Sequence, residues 1–318
     1  MENRRFDLVP SVQGAFPFPY LVVDDIFAEK DLNEVLMHWP SIDHFGVEGH
    51  HQHDLRLRLA EKEIDEHGSL IMPKKPFWIR NNEERALFWK RFADDTLRPI
   101  GLEILKYYSS FFRIRWSDYE PNYYYSLYWL EDAPEKYADI GLRVHTHYDH
   151  DPFWAVSCLF YLNEGNKVIS GTNLQSIQTT ENPESECDIA LNSRRWYTDE
   201  RIKPVERFDF KKNRLVTFVD GPLSFHGVDR YASHDSDVEL ERKAILIHLA
   251  LHPKHFNEHY GMDRNAFMSK VMSHSVDQDL FRIVKSDVKR YKDAVARFRP
   301  FESSDYARGI TLHGYRSG

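Results

Sequence analysis

Apolar positions change their period along this chain. Between Glu83 and Phe112 they recur every three or four residues, at Leu87, Phe88, Phe92, Leu97, Ile100, Ile104 and Tyr108. That spacing predicts a long helix, which Pro99 kinks or splits. From about residue 113 to 252 the pattern becomes short apolar or aromatic runs with turn signals between them. Strands are expected at 123–130, 142–149, 156–162, 214–219, 224–228 and 244–251. Asn163-Glu164-Gly165-Asn166 and Asp220-Gly221-Pro222 punctuate them. Ahead of this region, a strand at 20–25 follows Phe16-Pro17-Phe18-Pro19, and a helix at 29–38 is stopped by Pro40. Residues 41–82 read as irregular. After Pro253 the helical period returns, best at 276–297, and an irregular tail is expected from Phe301. The whole, 1–318, reads as one domain: helical support, a β core at about 113–252, and a helical C-terminal extension at about 253–300.

Composition narrows the class. Of 318 residues, 42% are hydrophobic and 14% aromatic, enough for a large core and for ligand pockets. The formal net charge is −8, and basic residues form only short patches such as Lys211-Lys212 and Arg194-Arg195, so nucleic acid is not an expected partner. Two cysteines, Cys158 and Cys187, exclude a disulfide framework and a thiol-based zinc site. Cys158 lies in an apolar run and reads as a small core residue. The polar start, Met1 to Arg5, and the lack of a long apolar run lead to the expectation of a cytoplasmic protein with no membrane partner. A homo-oligomer is compatible with the sequence and not indicated by it. The expected partner is a small-molecule substrate.

The chemistry concentrates in Arg143-Val144-His145-Thr146-His147-Tyr148-Asp149-His150-Asp151. In a strand, alternate residues share a face, so His145, His147, Asp149 and Asp151 point the same way. A His and a carboxylate two residues apart can grip one metal from one strand. A second His from elsewhere completes a facial triad with three open positions, the arrangement of non-haem iron(II) oxygenases. His226 is the distal candidate, placed after the Gly-Pro turn and before Gly227. Arg242 stands just before the apolar run 244–251, where a charge needs a buried partner such as a small acid's carboxylate. Lys243 points to the opposite face.

His147-x-Asp149, Ser157 to Leu162, Gly171-Thr172, Asn213-Arg214-Leu215-Val216-x-Phe218, His226-Gly227-Val228 and Arg242-x-Ala244 together resemble the 2-oxoglutarate/iron(II) oxygenase superfamily, in its prolyl-4-hydroxylase-like branch. The opening Phe16 to Phe27 resembles the first strand of bacterial members, and the likeness spans roughly 16–252. It implies a mainly β chain built on a double-stranded β-helix, or jelly roll, flanked by α-helices. It implies Fe(II) held by His147, Asp149 and His226, with 2-oxoglutarate and O2 as cosubstrates. Arg242 would grip the far carboxylate of 2-oxoglutarate, and Tyr124 and Tyr128, which share a strand face, would hydrogen-bond the cosubstrate. The implied reaction is C–H hydroxylation, releasing succinate and CO2; Trp196 and Tyr197 beside Arg194-Arg195 suit a small molecule, saccharide or natural product as its substrate. Asp149 as a ligand favours hydroxylation over halogenation. Two departures are Ala244, where a hydroxyl residue is common, and a long His226–Arg242 spacing.

Other readings compete. His145-x-His147 with Asp151 resembles a cupin metal site, giving a dioxygenase or isomerase, although no Pro-x-Gly precedes His226. A peptidyl, prolyl-type substrate and a non-catalytic jelly-roll binding module also stand. Segments 131–141 and 173–212 are expected as loops over the site mouth. His50-His51-Gln52-His53-Asp54 and His234-Asp235-Ser236-Asp237 read as solvated loops.

Overall fold

Leu215 to Val219 are all buried, because their strand is covered on both faces. A continuous apolar run is what such a central strand requires. In a computed structural model of the chain, the described residues are 8–39, 55–58, 63–64, 70–71, 83–116, 122–132, 154–164, 170–178, 186–187, 201–228, 242–251, 253–262, 266–267, 269–270, 277–300 and 311–313. The elements run β1 (Val12–Gly14), β2 (Tyr20–Asp24), α1 (Glu29–Met37), β3 (Leu55–Arg58), β4 (Glu63–Ile64), β5 (Leu70–Ile71) and α2 (Glu83–Phe92). A π-helical turn (Ala93–Leu97), α3 (Arg98–Tyr107), α4 (Ser109–Arg115), β6 (Asn122–Asp132), β7 (Trp154–Tyr161), β8 (Ser170–Ile177) and β9 (Ile202–Asp209) follow. The chain ends with β10 (Arg214–Val219), β11 (His226–Val228), β12 (Arg242–Leu251), α5 (Pro253–Tyr260), α6 (Gln278–Ala296) and β13 (Thr311–His313).

The large sheet has the order β1-β2-β10-β7-β12-β6. The outer edge of β6 is divided between β3, antiparallel at 128–131, and β13, parallel at 122–124. A second sheet has the order β11-β8-β9. Register separates the faces of the large sheet. One carries Cys158, Phe160, Leu215, Thr217, Ile245 and Ile247 in neighbouring rows. Helices cover it: Phe160 stacks on Phe27 at 5.3 Å, and Phe27 meets Phe92 of α2 at 5.4 Å. The other face carries Ser157, Leu159, Tyr161, Phe218, Leu246 and His248, and it meets the small sheet. There the Tyr161 hydroxyl accepts from Thr172 N–H at 2.8 Å and lies 2.6 Å from Thr172 Oγ1.

Several expectations change. The chain is mixed α/β rather than mainly β, with two main sheets dominated by antiparallel pairs and a separate two-stranded β4-β5 pair. Among the described residues the two main sheets do not close into one barrel. The helical stretch is divided as expected near Pro99, but the irregularity is a π turn just ahead of it. Pro99 sits in the first turn of α3, where its missing N–H costs little. Helix continues through Arg115, past the expected boundary at 113, because Phe111, Phe112 and Arg115 are buried together. Strands β3, β4 and β5 lie within the stretch expected as irregular, and β13 lies in the expected tail. β8 and β9 occupy the two ends, 173–177 and 202–209, of the segment expected as a loop at 173–212. Their sequences are largely polar, and Pro204 is tolerated because β9 is an edge strand with a register shift beside it. The helix at 29–38 and the strands at 20–25, 156–162, 214–219 and 244–251 form within a residue or two of expectation.

Candidate functional site

His226 opens β11, on the small sheet, at the end of a tightly bonded turn. Asp220 N–H donates to Ala155 O at 2.9 Å, the last rung before the chain leaves the large sheet. Gly221 N–H donates to Ser224 Oγ at 2.8 Å, and Ser224 Oγ–H donates back to Gly221 O at 2.8 Å. Gly221 has no room for a side chain: a Cβ there would lie 2.2 Å from the Tyr291 ring. His226 is buried, and its ring packs on Phe218 with centroids 4.6 Å apart. Its Nδ1 lies 2.9 Å from Ser224 O. A carbonyl only accepts, so Nδ1 carries a proton, which in a neutral imidazole places the lone pair on Nε2. Fixing one ring nitrogen to a backbone carbonyl is how metal-ligating histidines are commonly oriented. The one expected ligand whose side chain is described therefore has a ring state that suits a metal.

A second polar cluster lies in the row beside Phe218. Ser157 Oγ is 2.8 and 3.1 Å from the two Asp220 carboxylate oxygens and 3.0 Å from His248 Nδ1. All three residues are buried. The hydroxyl has one proton, which goes to the carboxylate, so His248 donates to Ser157 through Nδ1–H. This is not a nucleophilic triad. There the histidine stands between serine and carboxylate, whereas here the serine does. The cluster bridges β7, β12 and the turn that leads to His226. Ser157, Asp220 and His248 are not among the candidate site residues that the sequence pattern singles out. The available signal was a lone polar residue inside each of two otherwise apolar runs, which demands a buried partner.

Arg242 is the first residue of β12, in register with Asp132 of β6. Tyr128 is in register with Leu246, and Tyr124 with Ala250. Strand parity thus puts positions 124, 128 and 242 in the rows of the inter-sheet face. The side chains of these three fall outside the described ones. Lys243, on the opposite parity, has its N–H bonded to Asn163 Oδ1 at 2.8 Å. Solvent reaches the inter-sheet face at Leu159 and its partner Leu246, each 8% exposed, whereas Phe160 and Ile245 behind them are at 1% or less. His145, His147, Asp149, the clusters at 50–54 and 234–237, and the loop at 133–141 lie outside the described residues. Among the described residues, no three His, Cys, Asp or Glu side chains gather to hold a metal. No described helix is long and apolar enough to cross a membrane.

No protein-family model matches the chain, and no curated protein matches it by sequence. Solved structures do match. The solved structures it resembles include prolyl 4-hydroxylases and 2-oxoglutarate/iron(II) oxygenases. A prolyl 4-hydroxylase from Phytophthora capsici is 17% identical over 87% of this chain and 76% of its own, with a TM-score of 0.41. A 2OG-Fe(II) oxygenase family oxidoreductase from Burkholderia pseudomallei is 10% identical over 73% of this chain and 84% of its own, with a TM-score of 0.36. HygX from Streptomyces hygroscopicus, solved with nickel and 2-oxoglutarate bound, is 11% identical over 73% of this chain and 82% of its own, also at 0.36.

Proposed function

We propose that the protein is a 2-oxoglutarate- and O2-dependent oxygenase that hydroxylates a C–H bond of a small molecule, with a saccharide or natural product as the expected class. The observation that carries this reading is the order in which the chain visits its two sheets. From β6 onward it passes through the large sheet, the span 133–153, then large, small, small, large, small and large. The two Greek keys of an eight-stranded double-stranded β-helix follow this order when their second strand belongs to the small sheet. The span that would supply that strand contains His147-x-Asp149.

His147, Asp149 and His226 would hold iron(II), which supplies the activation of O2 coupled to decarboxylation of 2-oxoglutarate. The chain's own residues do the rest. Ser224 O holds the His226 ring in the ligating tautomer. Arg242 pairs with the far carboxylate of 2-oxoglutarate through its planar fork. Tyr124 and Tyr128 donate hydrogen bonds to the cosubstrate. Leu159 and Leu246, paired on the inter-sheet face, would give the reacting centre an apolar wall.

The test is anaerobic titration of the purified protein. One equivalent of iron(II) should bind, and a weak visible band should form only when 2-oxoglutarate is added. His147→Ala and Asp149→Ala should abolish succinate release while far-ultraviolet dichroism stays unchanged. Absence of divalent-metal affinity, or turnover retained in either variant, refutes the assignment.

A further inference from the structure

We infer that the C-terminal helix α6 is part of the candidate metal site: Asp287, acting through Arg115, is a positioning residue that fixes the turn presenting His226. The inference rests on the iron reading above. Arg115 of α4 is wholly buried, and its fork is divided between two partners. Nη2 and Nε donate to Asp287 Oδ2 at 3.0 Å and Oδ1 at 3.3 Å. Nη1 donates to the main-chain carbonyl of Asp220 at 2.6 Å. The guanidinium also lies over the rings of Trp116 at 4.6 Å and Tyr291 at 5.4 Å. Burial works against the charge on Arg115, and the Asp287 carboxylate, with Tyr260 and Tyr291 assisting, outweighs it, so the pKa rises above its ordinary value.

Asp220 is where the route from α6 reaches the site. Its N–H belongs to the large sheet, its carboxylate to Ser157, and its carbonyl to Arg115. The next residue, Gly221, is pressed against Tyr291, four positions after Asp287 on α6. Gly221 is bonded to Ser224, and Ser224 O receives the His226 proton. Every link from Asp287 to the His226 ring is therefore a hydrogen bond or one residue of bonded turn. A rotation of the 220–224 backbone would carry Ser224 O away from Nδ1 and release the ring to its other tautomer. A fork that spans a carboxylate and a carbonyl needs Arg, since Lys offers a point charge without the planar geometry.

The competing account is a clamp that only holds α6 on the core. Full-length protein with Asp287→Asn or Arg115→Lys separates the two. The reference is Val284→Ala, which removes buried volume on α6 but none of the hydrogen-bonding groups of the fork. Nickel(II), an O2-inert probe, is titrated calorimetrically. The His226 tautomer is read in metal-free protein from imidazole 15N shifts, assigned by loss of the signal in His226→Gln. The expected result is a loss of nickel affinity of about ten- to a hundred-fold in both fork variants, the range for residues that orient a metal ligand. His226 should shift from the single Nδ1–H tautomer to a mixture. Val284→Ala should melt earlier with affinity and tautomer unchanged. Fork variants that melt earlier but keep wild-type affinity and tautomer overturn the inference. So does failure of both to fold while Val284→Ala folds, which makes the pair a stability device. Wild type with no nickel affinity overturns the iron reading instead, and the tautomer comparison then decides this inference by itself.

Discussion

Asn213 adopts φ of 60°, a left-handed conformation that costs most residues free energy. It ends the turn between β9 and β10, and its amide clasps Phe27 from both sides. Oδ1 accepts from Phe27 N at 3.0 Å and Nδ2 donates to Phe27 O at 2.8 Å. Asn213→Ala should lose both bonds and keep the backbone cost, lowering stability by about 2–4 kcal/mol. Asn213→Gly should lose less, because glycine adopts this conformation without strain. Urea unfolding of the two variants checks the order. Nearby, Asp24 receives Arg214 Nε at 2.6 Å and Lys211 Nζ at 3.0 Å. The Arg214 hydrogen bond, with Lys211 assisting, holds the carboxyl down at about 2 from 3.8. A pKa lower in the folded than in the unfolded chain means the unfolded chain takes up more protons as acid is added. The pair's contribution is therefore complete above about pH 4 and lost as pH falls toward 2. Asp24→Asn should lower the urea midpoint at neutral pH and flatten its decline across that window. An unchanged slope would assign the acid sensitivity to other carboxylates.

Strands were legible in the sequence in proportion to how completely they are buried. β10 and β12 carry apolar residues on both faces and announce themselves as runs. β8 and β9 lie in the small sheet, where Asn173 and Gln175 are buried and Gln175 Nε2 donates to Asn173 Oδ1 at 2.6 Å. Polarity paired inside the fold looks the same in sequence as polarity facing water, so those strands read as loop. β13 was invisible for another reason. Three residues have no period, and only their pairing with the far edge of β6 makes them a strand. That pairing has a purpose at the scale of the element: it covers residues 122–124 of an edge that β3 covers at 128–131. An uncovered edge of this length is a template for association. Truncation after Pro300 should raise the rate of aggregation on mild heating, measured by light scattering. A truncated chain as quiescent as the full one would mean that β3 alone protects β6.

At the scale of the whole molecule, the candidate residues come from separate layers. His226 belongs to the small sheet and Arg242 to the large one, with α6 behind the first of them. The sequence exposed the residue types and their spacing. It could not expose that Arg115 and Asp287, 172 positions apart, meet beneath the turn that carries His226. This division predicts how ligands should stabilise the fold. A metal that binds only the folded chain stabilises it by mass action, about 2.7 kcal/mol when present at a hundred times its dissociation constant. On the proposed iron reading, nickel(II) alone should raise the melting temperature, because it would tie His226 to His147 and Asp149. Adding 2-oxoglutarate should raise it further, because the diacid then joins the metal on one sheet to Arg242 on the other. Arg242→Ala should keep the nickel increment and lose most of the 2-oxoglutarate increment. His226→Ala should lose both, since the cosubstrate has no metal to chelate. Thermal-shift measurements on the three proteins, with and without each ligand, give the pattern directly. A 2-oxoglutarate increment that survives in Arg242→Ala would move the carboxylate-binding role to another cation.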